Sequence, residues 1–196
     1  MTKKFGIDID GTVTSPETFV PHLNKAFNLN LTLEDITEYD FSPFVNVSPA
    51  ELGKWFKANE RSIYETSPLA DDAKAVLQKW HQKHELFFIS ARHDKLLDVT
   101  EEWFQKNELS FHHIELVGSH FKVETAKRYD VDIFFEDKHD NACEISEECN
   151  IPVILFDTPY NRLPVPKGVV RVYNWLEADQ WVASWLKNSK IKKRGA

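Results

Sequence analysis

Short apolar runs alternate with amphipathic stretches along most of the chain. The runs predict strands at residues 5–9, 86–90, 114–117, 131–135, 152–156 and 169–173. Apolar residues at helical spacing predict helices at residues 73–80, 96–104, 123–129, 140–149 and 177–186, with Asp94 and Asp140 as N-caps of the second and fourth. Strands that alternate with helices indicate βαβ units. We therefore predict an α/β fold in which helices cover both faces of a parallel sheet, a Rossmann-like three-layer α/β/α arrangement.

Residues 13–68 interrupt this alternation. They contain five of the nine prolines, several aromatic residues and no convincing strand. Short helices are predicted at Val20–Phe27 and near residues 32–35. A longer helix is predicted to start at Ser48, where Pro49 and Glu51 complete a capping box. We predict a helical cap over residues 13–68, inserted into a core domain made of residues 1–12 and 69–196.

Polar side chains stand where four of the predicted strands end. They are Asp8 and Asp10, then Ser90, then Gly118 leading to Lys122, and finally Glu136 with Asp137. We expect them to converge, because ligands of an open parallel sheet bind at the carboxyl ends of its strands. Asp8 and Asp10 project on the same side of an extended chain, and Gly11 permits a turn beside them. Two close carboxylates favour a cation between them, and Mg²⁺ is the natural one, so this interpretation is preferred over two solvated aspartates at a turn.

Several residues near these strand ends have two interpretations. Ser90 taken alone is typical of an ordinary strand-end serine. Lys122 is favoured over Lys127 as the lysine of the site, because it begins the helix nearest to the preceding strand end. Arg92 either contacts the substrate or pairs with an acidic neighbour.

Other candidate residues point more weakly to function. Residues 157–161 are predicted to be a plain turn rather than the rim of a site, and the basic segment 187–194 a frayed, solvated end. The histidines that follow strand ends match no zinc pattern: His93, His120 and His139. The aromatic residues of the cap form either its own small core or, for one or two of them, a stacking surface for a nucleobase: Phe19, Phe41, Phe44, Trp55, Phe56 and Tyr64. The last helix is expected to bury one face: Trp175, Trp181, Val182, Trp185 and Leu186.

Composition and charge restrict the classes of function. The net charge of −7 over 196 residues argues against a general nucleic-acid binder, whereas a local metal and lysine still permit a small anionic substrate. No window approaches a membrane span, and the N-terminus lacks the apolar run of a signal peptide. On one helix Cys143 and Cys149 would lie too far apart for a disulfide, which fits a reducing cytosol. We therefore predict a cytoplasmic location.

The strand-end residues resemble the four motifs of the haloacid-dehalogenase-like (HAD-like) phosphohydrolases: Asp8, Asp10, Gly11 and Thr12, then Ser90, then Lys122, then Glu136 with Asp137. The resemblance extends over nearly the whole chain and places residues 13–68 where that superfamily has its C1-type cap. Within the superfamily the chain looks most like the 5′(3′)-deoxyribonucleotidase, or type C nucleotidase, branch. The cap is of similar length, residues 88–92 read Phe-Ile-Ser-Ala-Arg, and Lys138 follows the fourth motif. Thr12 stands where that branch often has valine, and the fourth motif begins with glutamate.

The resemblance implies a Mg²⁺-dependent phosphomonoesterase with an aspartyl-phosphate intermediate. Asp8 would be the nucleophile, and Asp10 would protonate the leaving alkoxide and then deprotonate the attacking water. The Asp8 and Asp137 carboxylates and the Asp10 backbone carbonyl would hold Mg²⁺. The remaining motif residues would bind the phosphate (Ser90, Arg92 and Lys122) or support the site (Gly11, Thr12 and Glu136).

The expected substrate is a nucleoside or deoxynucleoside monophosphate. The expected partner is thus a small-molecule phosphate ester and neither a nucleic-acid polymer nor a membrane; a homodimer stays open. A sugar phosphate is the alternative within the same chemistry. A phosphoryl-binding module without turnover is the alternative from another class, but a binder needs no acid and base such as Asp10. A receiver-like phosphoacceptor is excluded, because a cap has no place in such a switch.

Overall fold

A parallel sheet of six strands forms the centre of this computed structural model, which describes residues 2–119 and 121–194, with side chains through Asn188. In chain order the strands are β1 (Lys4–Ile7), β2 (Glu85–Ser90), β3 (His113–Leu116), β4 (Ile133–Glu136), β5 (Val153–Phe156) and β6 (Val169–Val172). Their spatial order is β3-β2-β1-β4-β5-β6, and all neighbouring strands are parallel. The predicted α/β fold is confirmed.

Helices lie between the strands and in the insertion after β1. They are α1 (Val20–Phe27), α2 (Pro49–Thr66), α3 (Ala73–His81), α4 (Leu97–Lys106), α5 (Val123–Tyr129), α6 (His139–Cys149) and α7 (Trp175–Arg194). Short 3₁₀ turns occur at Leu33–Asp35, Ser42–Phe44, Asp94–Leu96 and Pro159–Asn161. Among the described helices, none combines the length and the apolar character that crossing a bilayer requires.

Two consecutive residues of β4 illustrate the three layers. Phe135 packs against Trp80 of α3 and Trp175 of α7, with ring centroids 4.9 and 6.1 Å apart. Phe134 belongs instead to a second apolar cluster, which includes Ala126 of α5 and Ile145 of α6. Successive side chains of a strand point to opposite faces of the sheet. Both faces are therefore covered by helices, and β4 is apolar at both positions.

The strand order creates a crevice beside β1. Phe5 of β1 pairs with Leu86 of β2 on one side and with Ile133 of β4 on the other. β2 and β3 follow one another on one side of β1, and β4, β5 and β6 follow one another on the other side. The direction in which strands are added therefore reverses between β1 and β4. In open α/β sheets, ligands bind at the carboxyl ends of the strands at such a reversal. The residues that follow β1 and β4 are positioned at this point.

The insertion, residues 13–68, has a small apolar core of its own. Leu23 of α1, Leu52 of α2 and Val45, which follows the 3₁₀ turn Ser42–Phe44, are buried together. Phe27 and Trp55 are among the partly buried residues packed against them. Helix α2 begins at the predicted capping box, in which the Ser48 hydroxyl accepts from the Glu51 backbone N–H.

Two short backbone pairings join the insertion to the rest of the chain. The Ser15 N–H donates to the Pro68 carbonyl oxygen at 2.8 Å, and the Ala70 N–H donates to the Val13 carbonyl oxygen at 2.9 Å. The two connecting segments therefore run side by side, directly after the loop that follows β1.

The two predicted aspartate N-caps are wrong. Asp94 lies within the 3₁₀ turn Asp94–Leu96, and α4 starts only after that turn. Helix α6 starts at His139, so Asp140 lies in its first turn, and the N-cap position is Lys138, without a capping side-chain bond. An acidic residue in the first turn favours a helix through the helix dipole as well as by capping. The sequence pattern alone does not separate the two placements.

The last helix is longer than predicted. It starts at Trp175, before the predicted residue 177, and its backbone continues to Arg194, through the segment 187–194 for which a frayed end was predicted. The side chains of that segment after Asn188 lie outside the described residues. The predicted apolar face is confirmed, because Trp175 and Val182 are buried and Trp181, Trp185 and Leu186 pack against the core.

Candidate active site

Three buried carboxylates meet at the carboxyl ends of β1 and β4. Asp8 follows β1, Glu136 ends β4 and Asp137 comes directly after it. One oxygen of each lies within 4.8 Å of the others. The adjacent strands hold them there, since the Asp8 backbone N–H donates to the Phe135 carbonyl oxygen at 2.9 Å. The structure thus brings the first and fourth motifs together at one point.

Lys122 places a positive charge within this cluster. Its Nζ donates to Asp8 Oδ1 at 2.6 Å and to Glu136 Oε2 at 3.0 Å, and its side chain is buried. Burial disfavours the charged amine, but the carboxylates of Asp8 and Glu136 outweigh this and raise the pKa of Lys122. Lys127, the rival candidate, pairs instead with Glu148 at 3.1 Å on the surface. The preference for Lys122 from the sequence agrees with this geometry.

The cluster still carries more negative than positive charge. Burial, and then the Glu136 carboxylate, raise the pKa of Asp8 well above its usual range. The same two causes raise the pKa of Asp137 to about 7. Asp137 Oδ1 is buried and has no hydrogen-bond partner among the described residues. Carboxylate oxygens that repel each other, one of them unpartnered, fit a hard divalent cation such as Mg²⁺.

Tyr160 and Asn161, in the segment that follows β5, hold Asp137 in place. The Tyr160 hydroxyl donates to Asp137 Oδ2 at 2.6 Å, and the Asn161 side-chain amide donates to the Asp137 carbonyl oxygen at 2.6 Å. Asn161 also donates to the Phe156 carbonyl oxygen at 2.7 Å. The predicted plain turn at residues 157–161 is therefore part of the site. The sequence did contain a signal for them, because residues 157–161 directly follow a strand, as the other residues of the site do.

Glu136 is held on its other side by Asn141, a residue that the sequence did not single out. The Asn141 amide donates to Glu136 Oε1 at 2.6 Å from the first turns of α6. With Lys122 on Oε2, both oxygens of Glu136 have partners. The orientation of this carboxylate is thereby fixed from two elements.

The loop after β1 passes so close to Asp137 that only glycine fits at position 11. Gly11 has φ +75°, and a Cβ there would lie 2.3 Å from Asp137 Oδ2. The adjacent Thr12 is buried, and its carbonyl oxygen accepts from Trp175 Nε1 at 3.1 Å. Gly11 therefore permits the approach, and Thr12 anchors the loop to α7.

Asp10 and Arg92 form a bidentate ion pair at the edge of the cluster. Arg92 Nε donates to Asp10 Oδ2 at 2.9 Å, and Nη2 donates to Oδ1 at 2.7 Å. Burial of the guanidinium opposes its charge, but Asp10 outweighs this and raises the pKa of Arg92. Of the two interpretations of Arg92, the structure places it on an acidic neighbour. Ser90 lies beside this pair, and its hydroxyl oxygen accepts from the Arg92 backbone N–H at 3.2 Å.

A cavity of about 540 Å³ opens above these groups. One end is lined by Asp8, Asp10, Ser90 and Lys122. Seven aromatic residues line the remainder, beside polar residues such as Ser15, Asp40 and Ser42. Six of the aromatic residues come from the insertion and one, Tyr160, from the core: Phe19, Tyr39, Phe41, Trp55, Phe56, Tyr64 and Tyr160. Phe44 does not line it. Phe19 also packs against Phe56 and Tyr64, with ring centroids 5.6 and 6.2 Å apart, so the same rings serve the insertion's packing and the cavity wall.

Within the described residues, the cysteines and histidines form no cluster that could hold a metal ion. Cys143 and Cys149 are free thiols. His93 is paired with Asp94 at the surface, and His139 Nε2 lies 2.9 Å from the Pro164 carbonyl oxygen. His120 lies outside the described residues.

Comparison with known proteins identifies relatives over almost the whole chain. A family model described as "5' nucleotidase, deoxy (Pyrimidine), cytosolic type C protein" matches residues 4–188. "Putative nucleotidase BH1399" of Halalkalibacterium halodurans is 53% identical over 95% of this chain and 96% of its own. "Putative nucleotidase YqfW" of Bacillus subtilis is 48% identical over 91% of this chain and 93% of its own.

Two solved structures that resemble this fold are HAD hydrolases. The "putative HAD-hydrolase YfnB" of Bacillus subtilis, described as bound to magnesium, has a TM-score of 0.63 and 10% identity, over 93% of this chain and 99% of its own. A HAD family hydrolase of Deinococcus radiodurans has a TM-score of 0.60 and 14% identity, over 96% of each chain. At these identities the likeness concerns the fold.

Proposed function

The chain belongs to the cytosolic type C 5′-nucleotidase family of HAD-like phosphomonoester hydrolases, and from this premise we propose that it hydrolyses nucleoside or deoxynucleoside monophosphates in a Mg²⁺-dependent reaction through an aspartyl-phosphate on Asp8. The observation that carries the proposal is the buried cluster of Asp8, Glu136 and Asp137 around Lys122, below a largely aromatic cavity. We further propose that it acts in the cytoplasm.

Asp8 is the nucleophile in this proposal. Its carboxylate attacks phosphorus, the ester P–O bond breaks and a P–O bond to Asp8 forms. A phosphate dianion repels an approaching carboxylate, so the site has to neutralise charge. Lys122, 2.6 Å from Asp8 Oδ1, supplies a fixed positive charge, because the carboxylates of Asp8 and Glu136 keep its amine protonated despite burial. The Ser90 hydroxyl, at the same end of the cavity, donates to a phosphoryl oxygen.

Asp10 moves the protons. Its carboxyl group protonates the alkoxide as the ester bond breaks, and the resulting carboxylate then takes a proton from the water that attacks the phosphorylated Asp8. The product phosphate leaves, and Asp10 is protonated again. Each carboxylate oxygen has more than one lone pair, so the contacts with Arg92 leave room for this proton.

The residues that would hold Mg²⁺ are Asp8, Asp137 and the Asp10 backbone carbonyl. When bound, the ion would neutralise negative charge on the phosphoryl group. The unpartnered Asp137 Oδ1 and the carboxyl groups with raised pKa values fit such an ion. Glu136, held by Lys122 and Asn141, keeps the lysine in place.

The cavity favours a nucleotide over a sugar phosphate. Six aromatic residues of the insertion line its walls away from the carboxylates, and their rings suit a nucleobase better than a hydroxyl-rich sugar. In this proposal the insertion acts as the cap and selects the substrate.

A substrate panel tests the proposal. Purified protein is incubated with p-nitrophenyl phosphate, 5′- and 3′-nucleoside monophosphates and sugar phosphates, each with MgCl₂ and with EDTA. We expect phosphate release from nucleotides that depends on MgCl₂. Release from sugar phosphates alone would reject the nucleotide assignment, and release from no ester would favour a phosphoryl-binding module.

Replacing Asp8 tests its assignment as the nucleophile. We expect Asp8→Asn to lower kcat by at least about a thousandfold, because an amide cannot form the aspartyl-phosphate. Steady-state phosphate release measures this, with Asp94→Asn as the matched control, since the Asp94 side chain is 81% exposed and lies outside the cavity lining. Appreciable steady-state activity of Asp8→Asn would refute the role of Asp8.

A further inference from the structure

Arg92 is enclosed on several sides by the molecule. Its side chain has 0% exposure, whereas that of Asp10, its partner, keeps 21%. Besides the two bonds to Asp10, Arg92 Nη1 donates to Thr100 Oγ1 of α4 at 3.0 Å. The face of the guanidinium lies 3.9 Å from the ring centroid of Tyr64 in α2. Both residues border the cavity, but only the Asp10 side chain keeps exposed area, so its carboxylate is the group of the pair that is open to solvent.

We propose that Arg92 is a positioning residue that holds the Asp10 carboxylate in the orientation needed for proton transfer, and that its guanidinium does not contact the phosphate. This inference rests on the proposed function, in which Asp10 delivers a proton to the leaving alkoxide oxygen as the ester P–O bond breaks. A guanidinium fork fixes both oxygens of a carboxylate at once, which a single point charge cannot do.

The residues that surround Arg92, and so hold Asp10, come from both the core and the insertion. Thr100 belongs to α4 of the core, and its hydroxyl is itself oriented by donation to the Leu96 carbonyl oxygen at 2.8 Å. Tyr64 belongs to α2 of the insertion. Arg61 of α2 binds Asp98 of α4 through two hydrogen bonds of 3.0 and 2.7 Å.

A second ion pair strengthens the same junction, since Lys95 lies 3.2 Å from Glu60 of α2. The C-terminal part of α2 is thereby attached to the core beside Arg92. The insertion consequently contributes to the position of the proton donor in addition to the walls of the cavity.

A comparison of leaving groups separates positioning from phosphate binding. p-Nitrophenolate leaves readily without a proton, whereas a nucleoside alkoxide needs one. General acid catalysis contributes about 10²- to 10⁴-fold to such reactions. We expect Arg92→Lys, which keeps the charge and loses the fork, to lower kcat/KM for a nucleoside 5′-monophosphate by about a hundredfold. For p-nitrophenyl phosphate the loss should stay below about tenfold.

Two further variants complete this experiment. Arg128→Lys makes the same change at an exposed arginine of α5 outside the cavity lining and should alter kcat/KM for neither ester, so it reports the general effect of replacing an arginine by lysine. Thr100→Val removes one Arg92 partner and keeps the shape of the side chain, and it should reproduce the leaving-group effect in weaker form. If Arg92→Lys does not fold, as judged by its thermal melting curve, Thr100→Val carries the test.

Two results would overturn the inference. Equal losses on both esters with a raised KM would assign Arg92 to phosphate binding, and crystal structures in which the Asp10 carboxylate occupies the same position in wild type and Arg92→Lys would remove its positioning role. Wild-type protein that hydrolyses neither ester would overturn the proposed function instead. The crystal structures test the position of Asp10 without turnover, so the two failures are distinguishable.

Discussion

The hydroxyl of Tyr160 determines which oxygen of Asp137 is available to a cation. It donates to Oδ2, and Oδ1 is left buried without a partner among the described residues. We expect Tyr160→Phe to weaken Mg²⁺ binding about tenfold, because the partners that orient a ligand typically contribute that much to metal affinity. Isothermal titration with MgCl₂ measures the change.

The control for this variant is Tyr173→Phe. Tyr173 is 72% exposed, so removal of its hydroxyl should leave Mg²⁺ affinity unchanged. If Tyr160→Phe binds Mg²⁺ as tightly as wild type, Tyr160 has no part in orienting the metal ligand, and the hydrogen bond to Asp137 serves only the turn at residues 159–161.

Single residues also mark where sequence reasoning stops. The strand-end rule located the carboxylates and Lys122, because a parallel sheet brings strand ends together whatever the strand order. It did not locate Asn141, because its contact with Glu136 depends on the path of the chain between β4 and α6 and on the orientation of the Asn141 side chain. It left Arg92 between two interpretations, since the choice depends on a distance between Arg92 and Asp10 that no local pattern encodes.

At the scale of the element, α2 has the clearest sequence signal for its start, and it contributes residues to the cavity from both of its ends. Its first turn lies at the cavity, through Pro49, Leu52 and Gly53, and Tyr64 lies near its end. The capping box was predicted correctly here, because Ser48, Pro49 and Glu51 act within four residues. The starts of α4 and α6 were not, because those helices follow strands closely and their first turns are set by the connection to the sheet.

The capping box of α2 offers a test at this scale. Ser48 Oγ accepts from the Glu51 N–H at 3.3 Å, and Glu51 Oε2 accepts from the Ser48 N–H at 3.0 Å. We expect Ser48→Ala to lower the free energy of unfolding by about 1 kcal/mol. KM for a nucleotide should rise more than kcat falls, because the affected turn lines the cavity and supplies none of the clustered carboxylates. Urea denaturation and steady-state kinetics measure the two effects.

Ser184→Ala is the matched control for this change. Ser184 lies within α7, is exposed, and donates to the Gln180 carbonyl oxygen at 3.1 Å. Alanine has the higher helix propensity at such a position, so this variant should be neutral or slightly stabilising. A loss of stability as large as that of Ser48→Ala would show that removal of any helical serine hydroxyl is costly here and would contradict the capping explanation.

At the scale of the whole molecule, the sequence predicted strands, helices and their alternation, but not the order of the strands. A local apolar run is sufficient to predict a buried parallel strand. The pairing of β1 with β4 rather than with β3 depends instead on contacts between distant parts of the chain. The consequence is large, since the reversal between β1 and β4 places Asp8 beside Glu136 and Asp137. Folding therefore concentrates carboxyl groups at one buried point, and we expect the stability of the molecule to depend on pH and, if the proposed Mg²⁺ site forms, on metal.

This linkage predicts opposite pH dependences with and without Mg²⁺. The pKa of Asp137 is raised to about 7, and that of Asp8 is raised as well, by burial and by Glu136. Between the ordinary aspartate pKa of about 4 and about 7, the folded metal-free protein therefore binds more protons than the unfolded chain. These groups lower stability as the pH rises through that window, and the loss is complete above it. In the proposed function Mg²⁺ binds the deprotonated carboxylates, so we expect its stabilising effect to grow as the pH rises.

Melting temperatures at pH 5.5 and 8.0, in EDTA and in MgCl₂, test this linkage. We expect the increase in Tm on addition of MgCl₂ to be larger at pH 8.0 than at pH 5.5. Asp137→Asn serves as the reference, because an amide does not titrate and its neutral side chain also removes the contribution of Asp137 to the raised pKa of Asp8. In EDTA, the Tm of wild type relative to this variant should therefore fall between pH 5.5 and 8.0. A wild-type Tm that rises relative to Asp137→Asn over this range would mean that the folded state favours the ionised carboxylates without metal, and the cluster would then be held by Lys122 and its hydrogen bonds alone.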